Sequence, residues 1–194
     1  MRNILTICPA FARIIINTYR ADTNLFIGGQ TIFSSEGTTQ GDPLAMSMYA
    51  LATVPLIRRL SSPSVIQSWY ADDATAAGRL QTLREWWDGL VEAGPLFGYF
   101  PNSVKTWLLV KPSSADDAKA IFEDTNISIT TEGRPVLGSP IGTSDYINKY
   151  VESQVSDWNC ELRLLSEIAM PHPHAAFAAY THGFVNKWTY LCRT

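Results

Sequence analysis

Two adjacent aspartates, Asp72 and Asp73, stand in the stretch Ser68-Trp69-Tyr70-Ala71-Asp72-Asp73-Ala74-Thr75-Ala76, at the junction of two short apolar, β-prone segments. Val65, Ile66, Trp69 and Tyr70 precede them; Ala74, Thr75, Ala76 and Ala77 follow, up to Gly78. A two-residue polar break between such runs predicts a tight β-hairpin, and Asp tolerates the left-handed angles that these turns ask for. Like charges side by side repel unless water or a cation separates them. The pair therefore reads in one of two ways. It is either a solvated Asp-Asp turn or a ligand pair for a hard divalent cation such as Mg²⁺, commonly held by one or two carboxylates together with substrate phosphates.

Upstream, Ser34-Ser35-Glu36-Gly37-Thr38-Thr39-Gln40-Gly41-Asp42-Pro43-Leu44 is a small polar loop, after which Met46 to Leu60 reads as a helix. Pro43 suits the first turn, where its missing N–H is no loss, and Asp42 is a good N-cap. Met46, Tyr49, Ala50, Val54 and Ile57 recur at helical spacing. Arg58 and Arg59 suit the negative end of the helix dipole. A glycine-containing loop entering a helix N-terminus can set backbone N–H groups against phosphate or sugar; it is equally an ordinary capped helix start.

Gln40-Gly41-Asp42-Pro43-Leu44 followed by Tyr70-Ala71-Asp72-Asp73 resembles motifs B and C of reverse transcriptases. Phe97-Gly98-Tyr99-Phe100-Pro101-Asn102-Ser103-Val104-Lys105-Thr106 resembles motif D, with its lysine ahead of an apolar strand, Trp107 to Val110. Val136-Leu137-Gly138-Ser139-Pro140-Ile141-Gly142 resembles motif E, the primer grip. Each stretch alone is weak; four in family order, from about Ser34 to Gly142, make a specific match. The family's motif A, a strand whose aspartate completes the metal-binding carboxylates, has no counterpart. The acids before Gln40 are Asp22, in a polar turn, and Glu36, in a loop, and neither sits in an apolar β-run. The chain is expected to start after motif A, with Ile4 to Tyr19 the helix that follows it, and to lack the fingers region.

The resemblance implies template-directed nucleotidyl transfer with two Mg²⁺ ions, or Mn²⁺, clamping the attacking and leaving oxygens. It also implies an RNA template, a DNA primer and a deoxynucleoside triphosphate as partners. By resemblance, Asp72 and Asp73 are the metal ligands and Lys105 approaches the triphosphate. Gln40, Gly41, Pro43 and Tyr70 contact nucleotide or template, and Leu137, Gly138 and Ser139 hold the primer. Without a motif A aspartate the isolated chain is expected to be inactive. The alternative is a catalytically dead retroelement relic acting at most as a nucleic-acid-binding or interaction module; a third reading is an unrelated small α+β domain.

With 194 residues and 46% hydrophobic content the chain can bury a core. No run of about 18 uncharged apolar residues exists, which argues against a membrane span. Met1 to Ile7 is a poor signal peptide, interrupted by Pro9 and Arg13. The three scattered cysteines, Cys8, Cys160 and Cys192, suit a reducing compartment, so an intracellular location, cytoplasm or nucleus, is expected. Net charge is −3; since nucleic-acid affinity rests on Lys and Arg neutralising phosphates, these residues alone should bind it weakly.

The elements that must position the motifs follow from periodicity and breakers. A helix is expected over Ile4 to Tyr19, then a hairpin of Leu25–Ile27 and Thr31–Ser34 turning at Gly28-Gly29. After the Asp-Asp hairpin comes a helix from Leu80 to about Ala93, with Leu83, Trp86, Trp87, Leu90 and Val91 on its apolar side and Gly94-Pro95 as its stop. Ser113 to Asp124 reads as a helix capped by Ser113 or Ser114, and Ile127–Thr131 with Pro135–Leu137 as a second hairpin over Glu132-Gly133. A long helix from about Ser144 to Ile168, with Ser144 or Asp145 as its cap, a breaker at Met170 to His174, and a helix from Ala175 to Leu191 complete the chain. This is an α+β pattern, on the resemblance a palm-like antiparallel sheet backed by helices. Residues 1–142 then form a partial palm and 143–194 a helical connection towards a partial thumb. His172, His174, His182 and Cys192 fit no standard zinc spacing. Trp86-Trp87 reads as core plus one partly exposed ring. Arg134 reads as a solvated hairpin arginine, and Gly183 to Trp188 as a terminal amphipathic helix or a thumb start.

Overall fold

The computed structural model describes residues 2–34, 37 and 41–193. It has the α+β class, with helices backing small two-stranded sheets. By compactness the chain divides into two units, Met1–Asn102 and Ser103–Thr194.

The first unit opens with α1 (Arg2–Ile7) and α2 (Pro9–Tyr19). These are two helices where periodicity predicts one from Ile4 to Tyr19. Pro9 is the cause: it disfavours helical angles in the residue before it, and Cys8 takes φ −145° and ψ 74°. Next come β1 (Thr23–Ile27) and β2 (Gln30–Ser34), antiparallel with Ile27 opposite Gln30. Their turn is Gly28-Gly29, both at positive φ, as a type I′ connection requires. This ribbon leaves Phe26 and Phe33 at least 70% exposed.

Helix α3 (Ala45–Arg59) follows. Asp42 is not its cap. The Asp42 backbone carbonyl accepts from Ala45 N–H at 3.0 Å, and its carboxylate accepts from Leu44 N–H at 2.7 Å. Asp42 to Ala45 is thus a turn one step ahead of the helix, with Pro43 at the position where its fixed φ fits. Tyr19 donates its hydroxyl to the Asp42 carboxylate. Ile4, Ala12 and Ile15 form a buried cluster, with Ile16, Tyr19, Met48 and Leu51 packed against it.

The Asp-Asp hairpin consists of β3 (Val65–Tyr70) and β4 (Asp73–Gly78), and α4 (Leu80–Ala93) follows directly. Side chains alternate across a strand: Gln67 and Trp69, with Ala74 and Ala76 opposite, are partly covered and Val65 is buried, whereas Ile66, Ser68, Tyr70, Asp73 and Thr75 lie open. In α4, Trp87, Leu90 and Ala93 are buried, Trp86 is half-buried and Val91 is exposed. A 3₁₀ turn, Gly94–Phe97, ends the helix at Gly98, whose φ is 75°.

Gln67 ties the hairpin to both neighbouring helices. Its amide nitrogen donates to the Ile57 carbonyl (3.0 Å) and the Ser61 hydroxyl (3.1 Å). Its amide oxygen accepts from the indoles of Trp69 (3.1 Å) and Trp86 (3.2 Å). One side chain thereby reaches a carbonyl in the last turn of α3, a place where backbone acceptors lack helical partners.

In the second unit, a 3₁₀ turn Ser103–Lys105 leads into β5 (Trp107–Leu109). Helix α5 (Ala115–Ile121) is shorter than Ser113 to Asp124 because a 3₁₀ turn, Pro112–Ser114, precedes it. The expected hairpin over Glu132-Gly133 does not form. Strand β6 (Ser128–Thr130) pairs in parallel with β5 through the α5 crossover, and β7 (Gly133–Val136) pairs antiparallel with β8 (Ser139–Gly142). The β7–β8 turn is Leu137-Gly138, with φ of 51° and 82°, the double positive φ that a two-residue hairpin favours. Gly133 serves packing instead: a Cβ there would lie 2.3 Å from the Tyr146 ring.

Helix α6 (Ser144–Ala169) starts one residue after its cap, which is Thr143 rather than Ser144 or Asp145; the Thr143 hydroxyl accepts from Tyr146 N–H at 3.3 Å. The last helical stretch is interrupted, with α7 (Pro173–Ala179), a widened π turn Tyr180–Phe184 and α8 (Val185–Leu191). Trp158, Ala176 and Phe184 are buried, and the Trp158 and Trp188 rings meet at 4.7 Å. Among the described residues no helix is long and apolar enough to cross a membrane.

Candidate functional site

The first unit brings Tyr70, Asp72 and Asp73 together at one hairpin tip. The two-residue loop is Ala71-Asp72, one position earlier than the Asp-Asp pair, and Asp73 opens β4 opposite Tyr70. The far end of the ribbon accounts for the shift. Strand β4 must stop at Gly78 because α4 begins at Leu80. Gly78 also lies against the Ser64 carbonyl, 2.9 Å from where a Cβ would stand, so the register is pinned there and the loop falls on Ala71-Asp72. The left-handed residue is accordingly Ala71, at φ 51°, and neither aspartate.

Asp73 projects on the open face of the ribbon with Tyr70, which is 61% exposed, and Asp72 is exposed in the loop. Neither carboxylate is paired with a basic side chain among the described residues. Two adjacent, exposed carboxylates of this kind are a donor set that fits a hard oxygen-seeking cation. Among the described residues no three His, Cys, Asp or Glu side chains come together to hold a metal, at this tip or around the C-terminal histidines.

Two tyrosines, to which the sequence reading gives no role at the site, are affected by the charge of this turn, and one of them touches it. Tyr99 donates its hydroxyl to the Asp72 backbone carbonyl at 2.9 Å, and its ring stands edge-on to Trp69, centroids 5.2 Å apart. Burial pushes the Tyr99 phenol up to about 12, helped by Tyr49, Asp72 and Asp73. Tyr49, on α3, is also raised, first by burial and then by the Asp72 charge. Tyr49 reads from the sequence as one more apolar position of a helix. Tyr99 lies within the motif D-like stretch, and its place after Gly98 is the available signal.

Of the other expected site residues, Pro43 lies in the Asp42–Ala45 turn leading into α3, and Gly41, at φ 92°, immediately precedes that turn. Gln40 and Glu36 lie outside the described residues. Lys105 ends the 3₁₀ turn before β5, in the second unit. Leu137 and Gly138 are the loop of the β7–β8 hairpin and Ser139 opens β8. That loop is clamped from behind: Tyr150 donates to the Gly138 carbonyl at 3.1 Å, and Tyr190 donates to the Leu137 carbonyl. Arg134 is stacked on Trp107, its guanidinium 3.9 Å from the ring centre, where a solvated arginine is expected.

Comparison with protein-family models, with curated proteins and with solved structures found no match.

Proposed function

We propose that the chain is the palm portion of a reverse transcriptase, residues 1–142 carrying motifs B to E and 143–194 leading towards a thumb. The observation that carries this reading is the β3–β4 hairpin with two carboxylates at its tip that have no basic partner among the described residues, in a chain where the other motif-like stretches follow in family order. Asp72 and Asp73 would hold divalent cations, and the chemistry such ions would supply is charge neutralisation at the attacking 3′-hydroxyl and the departing pyrophosphate. Tyr70, exposed beside Asp73, packs against the primer end or the incoming nucleotide. Gly41 and Pro43, with Gln40, line the nucleotide and template side. Lys105 meets the triphosphate, and the Leu137-Gly138-Ser139 turn grips the primer. The absence of a third carboxylate beside the pair among the described residues favours a second reading, a catalytically dead relic that binds nucleic acid or a protein partner.

The test is Mn²⁺ binding to the 194-residue chain, read by electron paramagnetic resonance with and without a deoxynucleoside triphosphate. We expect bound Mn²⁺ that increases with the nucleotide and disappears in Asp72→Asn/Asp73→Asn. Binding that is indifferent to both substitutions would overturn the assignment of the pair.

A further inference from the structure

We infer that Tyr99 is a positioning residue for the Asp72 carboxylate: its hydroxyl latches the Ala71-Asp72 turn through the Asp72 carbonyl, and so fixes the direction in which the carboxylate leaves the hairpin. This inference rests on the reading of the aspartate pair as a cation site. A two-residue loop has few backbone groups to restrain it, and this one carries a non-glycine residue at φ 51°, a conformation that persists only where its surroundings impose it. Tyr99 supplies the restraint from outside the hairpin. The hydrogen bond to Asp72 is 2.9 Å long.

The tyrosine is itself held. Gly98, at φ 75°, ends the 3₁₀ turn after α4, and Tyr99 N–H bonds back to the Gly94 carbonyl at 3.0 Å. Its ring meets Trp69, whose indole is fixed by Gln67. Trp69 in turn meets Trp86 of α4 edge-on, centroids 6.4 Å apart. The latch therefore couples the turn to the body of the first unit, and the hydroxyl is the atom of Tyr99 that hydrogen-bonds the Asp72 backbone. Loss of that atom leaves the ring contact in place and frees the turn.

The experiment compares the native chain, Tyr99→Phe, and a chain with p-aminophenylalanine at position 99, which restores a donor. The readouts are Mn²⁺ affinity, the carbonyl ¹³C shift of Asp72 and amide exchange at Asp73. Tyr99→Phe should move the Asp72 carbonyl resonance, speed exchange at Asp73 and weaken Mn²⁺ binding roughly three- to ten-fold, the size expected for one hydrogen bond. Its urea midpoint should change little. The amino analogue should restore both the Mn²⁺ affinity and the carbonyl shift, which general loss of packing would not do. Native-like Mn²⁺ affinity in Tyr99→Phe would overturn the latch while leaving the cation site standing. A native chain that binds no Mn²⁺ would overturn both, and is recognised by the native measurement alone.

Discussion

Ala71 occupies a backbone conformation that L-residues with a Cβ adopt at a cost of about 1–2 kcal/mol. Glycine removes that cost and adds back part of it through a freer unfolded chain. Ala71→Gly should therefore stabilise the first unit by about 0.5–1 kcal/mol, measurable as a higher urea midpoint. Tyr99 gives a second expectation at this scale. Its phenol is raised from 10.0 to about 12, chiefly by burial. The folded state then holds the proton more tightly than the unfolded chain, so stability is fully present below about pH 10 and falls as pH rises towards 12. The measurement is the difference in stability between native chain and Tyr99→Phe across that range. The native chain should lose ground to the variant as pH increases, and a flat difference would contradict the raised phenol. The aspartates were legible at this scale because their type and flanking runs announce a hairpin tip. Ala71 as the strained residue was not, since that depends on a register fixed at the other end of the ribbon, by Gly78 and the start of α4.

At the scale of elements, the Gln67 amide joins β3 to α3 and α4 with all four of its hydrogen-bonding positions used. Replacing it by Met keeps the volume but leaves two indole N–H groups and a helix-end carbonyl without that partner. Gln67→Met should cost about 1–2 kcal/mol, read by urea unfolding followed through Trp fluorescence. The elements α4, β1–β2 and α6 were readable because each shows its own period and its own breaker: Gly94-Pro95, Gly28-Gly29, and the polar start at Ser144-Asp145, though the cap itself is Thr143. Strand pairing in the second unit was not readable in the same way. The β6 run ends close to Gly133, which looks like a hairpin turn, but that glycine is demanded by the ring of Tyr146, and β6 pairs with β5 instead. Parallel pairing through a crossover leaves no turn signal in the sequence. The break between α1 and α2 is written in Pro9, which outweighs the helical spacing that runs across it.

For the molecule as a whole, the expectation is negative. If Asp72 and Asp73 are the motif C pair of the reading proposed above, a two-metal reaction also needs the carboxylate that motif A supplies, and no third His, Cys, Asp or Glu stands with them among the described residues. Loss of one member of a set that acts as a unit costs orders of magnitude, and further losses add little. The 194-residue chain should show no primer extension on a primed RNA template with Mg²⁺ or Mn²⁺, and Asp72→Asn should be indistinguishable from it. Extension that Asp72→Asn abolishes would mean that a carboxylate such as Asp22 or Glu36 completes the set. The hairpin that carries the two aspartates was thus legible in the sequence, whereas Tyr99, whose hydroxyl reaches the turn from beyond α4, was not, because no local pattern records that approach.

The way strands find partners also sets a clock. Among the described residues, three of the four ribbons close over two-residue loops, and such hairpins form in about 1–10 μs. The fourth, β5–β6, joins strands separated by a 3₁₀ turn and α5, so its ends must be brought together across a longer stretch of chain before any ladder bond rewards them. In a refolding experiment with pulsed amide labelling, the amides of β3 and β4 should gain protection ahead of those of β5 and β6. The hairpin that carries the aspartates would then be among the first parts of the chain to acquire its final shape.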